Sequence, residues 1–192
     1  MRPALRCLVW ELDNTLWDGV VCDATAGALR PAALRTLRVL SERGIWHAVA
    51  SRGEREWTLD KLYRYGVYEM FSAVEIGWGP KSSAIMRIGR TLGLGLDAIG
   101  FIDHEPVERA EVARALPVVR CYAARNADVL PVLPDFRPVV RTGPAPTPPL
   151  GFAKLDILCR DVPPEAVRVP YARLAHPRVE FRQEEVTEID PR

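Results

Sequence analysis

The sequence predicts an α/β fold, a parallel sheet with helices packed on its faces. Three observations carry that expectation. Short apolar runs alternate with segments of helical period from residue 7 to residue 122. Glycines or polar turns separate each run from the next. Four of the runs end in, or lead to, charged or hydroxyl-bearing residues, and a parallel sheet gathers such residues at the edge where ligands bind.

Residues 7–10 (CLVW) are continuously apolar, as a strand buried on both faces requires, and the run stops at Glu11-Leu12-Asp13-Asn14-Thr15. Residues 16–23 suit a small hairpin or flap over that strand end. Residues 30–43 place Leu34, Leu37, Val39 and Leu40 near one helix face, with Pro31 in the first turn and Gly44 just past the end. A second strand, 45–50 (IWHAVA), leads into Ser51-Arg52-Gly53-Glu54. A helix over 56–65 closes at Gly66, and a third strand covers 71–76. Gly77-Trp78-Gly79-Pro80-Lys81 then introduces a helix over 82–92 with Ile85, Ile88 and Leu92 inward. The fourth strand, 98–102 (AIGFI), ends at Asp103-His104-Glu105-Pro106; a helix over 107–116 and a fifth strand over 118–122 follow. This order implies right-handed crossovers. There is no internal repeat.

Near Arg141 the texture changes. Residues 142–151 (TGPAPTPPLG) read as an extended Pro-rich linker between a core domain, 1–141, and a C-terminal extension, 152–192. The extension holds three strand-like pieces, 154–159, 167–171 and 179–183. It is too short to bury much surface alone, so it is expected to dock on the core or on a second protomer, the latter making a homodimer.

Composition narrows the function classes. A formal net charge of +1 offers no basic field for nucleic acid. Of 26 basic residues only Lys61, Lys81 and Lys154 are lysines, which makes each one more informative. Cys7, Cys22, Cys121 and Cys159 show no metal-binding spacing and read as reduced thiols. Neither a signal peptide nor a membrane-length apolar run is visible, so the expected location is the cytoplasm.

The polar strand ends carry the chemistry. Glu11 and Asp13, spaced i and i+2 after a buried strand, suit a divalent cation, with one carboxylate left as nucleophile or acid/base. Alternatively, Asp13 or Asn14 caps a helix. Ser51, Lys81 and Asp103 add a hydroxyl, an ammonium and a further acid at the same edge. Together they form a kit for phosphoryl chemistry: cation and ammonium neutralise phosphoryl oxygens, a hydroxyl fixes one, and a carboxylate attacks.

On these residues the sequence resembles the haloacid dehalogenase superfamily, in the branch of FkbH-like proteins and small magnesium-dependent phosphatases. The similarity runs from Cys7 to about Phe136, through VWELDNTLWDGV (9–20), ASRGE (50–54), WGPKSSAI (78–85) and GLDAIGFIDHEPVERAEV (95–112). It implies a Rossmann-like three-layer core with a minimal cap and bound Mg²⁺. Glu11 falls on the nucleophile, Asp13 on the general acid/base and Lys81 on the site lysine. Glu11, Asp13 and Asp103 fall on the metal site. Ser51 falls on the phosphate-binding hydroxyl, and Asn14, Thr15, Arg52, Lys81 and His104 join it as candidate substrate-binding groups. FkbH-like members are associated with loading a glyceryl unit onto an acyl carrier protein. The implied partners are therefore a small phosphorylated or acyl substrate and such a carrier, in natural-product biosynthesis.

Three departures qualify the resemblance. Glu11 stands where the family has Asp, and one methylene moves a carboxylate by roughly 1 Å, which can cost about a hundredfold in rate. His104 replaces the second Asp of the acidic pair, with Glu105 and Glu108 close enough to substitute. Ala50 stands where FkbH-like proteins place a cysteine. Trp10, Trp17, Trp57 and Trp78 could stack on a substrate or simply pack; His47 reads as a satisfied strand histidine; Arg109 could pair with a carboxylate or bind phosphate. Three functions follow: a Mg²⁺-dependent phosphohydrolase or phosphotransferase, a repurposed enzyme with Asp13 in acid/base work, or a non-catalytic partner-binding module.

Overall fold

The computed structural model describes residues 3–20 and 27–138. The linker and C-terminal extension expected over 142–192 lie outside the described residues, as does the end, 21–23, of the hairpin or flap expected over 16–23.

Five parallel strands form one sheet in the order β3-β2-β1-β4-β5. They are β1 (Cys7–Trp10), β2 (Trp46–Ser51), β3 (Ala73–Ile76), β4 (Ile99–Asp103) and β5 (Arg120–Ala123). β1 lies at the centre, pairing Trp10 with Val49 on one side and with Ile102 on the other. The topology reverses between β1 and β4, which makes that boundary the ligand crevice of an open α/β sheet.

Helix α1 (Pro31–Glu42) and helix α2 (Arg55–Arg64) follow β1 and β2. Helix α3 (Lys81–Leu92) and helix α4 (Pro106–Ala115) follow β3 and β4. The alternation of side chains along β1 divides the core between the two faces. Leu8 and Trp10 pack with Leu37 and Leu40 of α1 and with Leu62 of α2. Cys7 and Val9 pack with Ile85 and Ile88 of α3 and with Val112 of α4. All four residues of β1 are fully buried, which explains their uninterrupted apolar character. Helix, sheet and helix thus make the three layers.

Some boundaries differ from the sequence expectation. β3 begins at Ala73 rather than 71, because Tyr68–Met70 forms a 3₁₀ turn first. β5 begins at Arg120 rather than 118, and Val118 is exposed. On α1, Ala33 and Thr36 are buried beside Leu37 and Leu40, whereas Leu34 and Val39 are only half-buried. Thr36 is tolerated inside because its hydroxyl donates to the Ala127 carbonyl at 2.6 Å. That carbonyl belongs to a 3₁₀ stretch, Ala124–Val132, for which the sequence carries no periodic signal. Gly44 has φ 78 after α1, the left-handed end expected of it. Among the described residues no helix is long and apolar enough to cross a membrane.

Candidate active site

β1 carries the chain directly into the crevice. The Glu11 amide donates to the Ile102 carbonyl at 2.9 Å, so the residue is still held against β4 although the strand has ended. Its carboxylate turns the other way, towards β2. Oε1 accepts from the Ser51 hydroxyl at 2.6 Å and from the Leu12 amide at 2.9 Å. Oε2 forms an ion pair with Lys81 Nζ. Glu11, Ser51 and Lys81 are all buried, at 5%, 4% and 2% exposure.

Lys81 reaches this position because Pro80 caps α3 and sets the lysine in its first turn, facing back over the sheet. Its ammonium also donates to the Ala50 carbonyl at 2.8 Å. Burial draws the ammonium down to about 8, while the carboxylates of Asp103 and Glu108 pull it upwards. The Glu11 carboxylate, in direct contact, acts in the same upward sense.

Asp103 ends β4 and is fully buried. One oxygen, Oδ1, accepts from the Glu105 amide at 2.7 Å, and its backbone carbonyl accepts from the Arg109 guanidinium at 2.7 Å. Arg109 thus braces the turn. Burial raises the Asp103 carboxyl above the ordinary carboxylate range; the Glu105 amide and Lys81 oppose the rise, and Glu108 adds to it. The other oxygen, Oδ2, is buried and accepts no hydrogen bond from the protein, and the same is true of Glu108 Oε2. Unsatisfied buried carboxylate oxygens are costly. Hard oxygen donors of this kind fit Mg²⁺, which completes its octahedron with water. Among the described residues no three acids, histidines or cysteines stand together as a ready-made cage, so the fit rests on Asp103 with Glu108 nearby.

The loop after β1 holds the other predicted residues. Asp13 Oδ1 accepts from Trp17 Nε1 at 2.8 Å. Asn14 adopts φ 51, and its side chain accepts from the Gly19 amide at 3.0 Å, so it shapes the turn. Leu16 and Trp17 are fully buried, and Trp17 and Asp18 pair antiparallel with residues 27–29, so the described ends of this segment are packed and paired as in a hairpin. Thr15 crosses to the β4 side, where its hydroxyl accepts from the His104 amide at 3.1 Å. The His104 ring is partly exposed, 3.4 Å from Asp103 Oδ1. Arg52 pairs with Glu108 at 2.9 Å.

Lys61 acquires a place that its sequence context does not suggest. Its ammonium lies 4.6 Å from the Trp17 ring centroid and 5.4 Å from that of Tyr65. Burial lowers its pKa, and the Asp13 carboxylate opposes that shift. The scarcity of lysine is the one signal in the sequence that draws attention to it. Of the tryptophans, Trp10 and Trp17 are core residues, while Trp57 and Trp78 are 56% and 70% exposed at the sheet edge that carries the site. His47 is buried; it accepts from Trp10 Nε1 and bonds the Leu37 carbonyl, which makes it a structural residue.

Comparison with solved structures places this arrangement among known folds. The N-terminal part of a Bacteroides fragilis protein, containing a phosphatase domain and complexed with Mg, superposes with a TM-score of 0.59 at 26% identity, over 73% of this chain and 42% of that one. A haloacid dehalogenase-like protein from Bacteroides fragilis gives a TM-score of 0.54 at 16% identity, over 62% of this chain and 87% of its own. A Had-superfamily hydrolase from Ehrlichia chaffeensis gives 0.51 at 12% identity, over 62% and 86%. The chain has the haloacid dehalogenase-like fold. It spans less than half of the phosphatase-domain protein. No protein-family model and no curated protein sequence matches it.

Proposed function

We propose that this chain is a Mg²⁺-dependent enzyme acting on a small phosphorylated or carrier-linked metabolite, with Asp13 as general acid/base and Glu11 at the nucleophile and metal position. The observation that carries the reading is the convergence, at one sheet edge, of a buried lysine, a buried serine hydroxyl and a buried aspartate with an unanswered oxygen. Support also comes from the phosphatase domain and Mg of the Bacteroides fragilis structure. Lys81 would neutralise the phosphoryl oxygens and Ser51 would orient one of them. Asp13, held by Trp17, would deliver a proton to the leaving oxygen. Asp103 would hold Mg²⁺, with Glu11 and Asp13 as the other expected ligands and Glu108 nearby; the ion would supply further neutralisation of phosphoryl charge. The exposed Trp57 and Trp78 favour a substrate with an organic portion beyond its phosphate.

One observation favours a second reading. Ser51 and Lys81 are both engaged by Glu11, which suits acid/base chemistry on a non-phosphoryl group, or partner binding, as well as phosphoryl transfer.

Orthophosphate release from a panel of phosphorylated hydroxy acids and sugars, with and without Mg²⁺, tests the first reading. Release that needs Mg²⁺ and disappears in Asp13→Asn is expected. Silence across the panel, with Asp13→Asn still binding whatever ligand the wild type binds, would select the second.

A further inference from the structure

Resting on the phosphoryl-binding role proposed for Ser51 and Lys81, we infer that Glu11 is itself the resident anion of that pocket. Its carboxylate occupies the place of a substrate's phosphoryl group, so the protein holds a latent site for tetrahedral oxyanions that its own side chain closes.

The donor inventory leads to this assignment. A phosphate pocket needs an ammonium, a hydroxyl and one or more backbone amides aimed at a common point. Here that set exists and is spent. The Ser51 hydroxyl and the Leu12 amide both donate to Oε1, and Lys81 pairs with Oε2. A second Lys81 donor goes to the Ala50 carbonyl. An arriving oxyanion would find the Ser51 hydroxyl already engaged and the Lys81 charge already answered by Glu11, with one ammonium N–H left over. On the β3 side of Ser51 and Lys81 a small cavity bordered by Ile76, Gly77 and Gly79 measures about 30 Å³, room for a water or two.

The length of the side chain is what closes the pocket. A carboxylate one methylene shorter, on the same backbone, would sit roughly 1 Å further back, beyond hydrogen-bond reach of the Ser51 hydroxyl and with a looser hold on Lys81. The residue type at position 11 therefore decides whether the site takes an outside oxyanion or an internal one. In the wild type a phosphoryl group must displace Glu11 to gain the Ser51 hydroxyl and an unanswered Lys81 charge, so simple phosphate is a weak ligand.

Calorimetric titration with inorganic phosphate on the full-length wild type, Glu11→Asp, Glu11→Ala and Glu11→Ala/Lys81→Met tests this. Both single variants should bind phosphate about tenfold tighter than wild type or more, the scale of one charge-assisted hydrogen bond regained. The double variant should lose that gain. Equal phosphate affinity in wild type and both single variants would overturn the inference, as would a gain that survives loss of Lys81. If Glu11→Ala does not fold, Glu11→Asp against Glu11→Asp/Lys81→Met decides the same point. Turnover is read separately. Phosphate release by wild type with no gain in the variants would spare the enzyme and remove the resident anion; a gain without turnover would do the reverse.

Discussion

Two acids stand on neighbouring strands at the same edge of the sheet, and the protein treats them differently. At the end of β1, Glu11 has both oxygens answered, by a hydroxyl, an amide and an ammonium. At the end of β4, Asp103 has one oxygen answered by an amide and the other buried without a donor. Burial is nearly equal, at 5% and 0% exposure. The difference lies in supply: α3 brings its lysine into contact with Glu11, whereas Asp103 receives one backbone amide, with the His104 ring 3.4 Å from the same oxygen and a further carboxylate nearby. A buried charge with its partners in place holds the structure together. One with a spare lone pair is costly until a cation arrives.

The largest test removes the cation from the satisfied side. Lys81→Ala leaves Glu11 buried and uncompensated, and a loss of about 3–5 kcal/mol in urea unfolding is expected. Asp103→Asn, which discharges the unsatisfied side, should cost far less or stabilise the metal-free protein. Equal losses would erase the contrast.

That contrast is best measured above pH 6.5, because His47 imposes an acid limb of its own. Burial lowers its pKa from 6.5 to about 4. Between those values the unfolded chain binds the proton and the native one does not, so stability is lost as pH falls through that window. The expected loss is about 3 kcal/mol in acid unfolding curves. His47→Gln should flatten this limb; an unchanged slope would place the acid sensitivity elsewhere.

On the unsatisfied side, Mg²⁺ should raise the melting temperature, approaching about 2.7 kcal/mol of stabilisation at a hundredfold excess over Kd. Asp103→Asn should abolish the rise, and a rise retained in that variant would move the ion away from β4. The smallest effect concerns the tie between the two sides. Thr15→Val removes the acceptor of the His104 amide and should cost about 1 kcal/mol in the same unfolding assay. No loss would mean that the two loops hold their positions independently.

Much of this fold is legible in the chain. β1 falls where its apolar run places it, and α1 to α4 begin and end within a residue or two of their periodic segments. The stretch from Ala124 to Phe136 is not legible. Pro131 and Pro134 break any period there, and its turns are held from outside, by Thr36 on Ala127 and by Arg43 on the carbonyls of Pro131 and Phe136. In the site, Ser51, Lys81 and Asp103 can be named because each lies at the end of an apolar strand or in the turn after one. Asn14 reads as a ligand group, yet its side chain closes a turn through Gly19. Lys61 escapes a linear reading because Tyr65 is its neighbour one helical turn on, but Trp17, the nearer ring, comes from the loop after β1 and arrives only on folding.

The sequence by itself determined the layers and the order of polar strand ends, because hydrophobic period and turn chemistry are local properties of the chain. Tertiary structure alone decided which of those polar groups meet. That the Glu11 carboxylate meets Ser51 and Lys81 depends on how β2 and α3 sit against β1. Residues that far apart in the chain come within hydrogen-bond reach only when the whole core has packed.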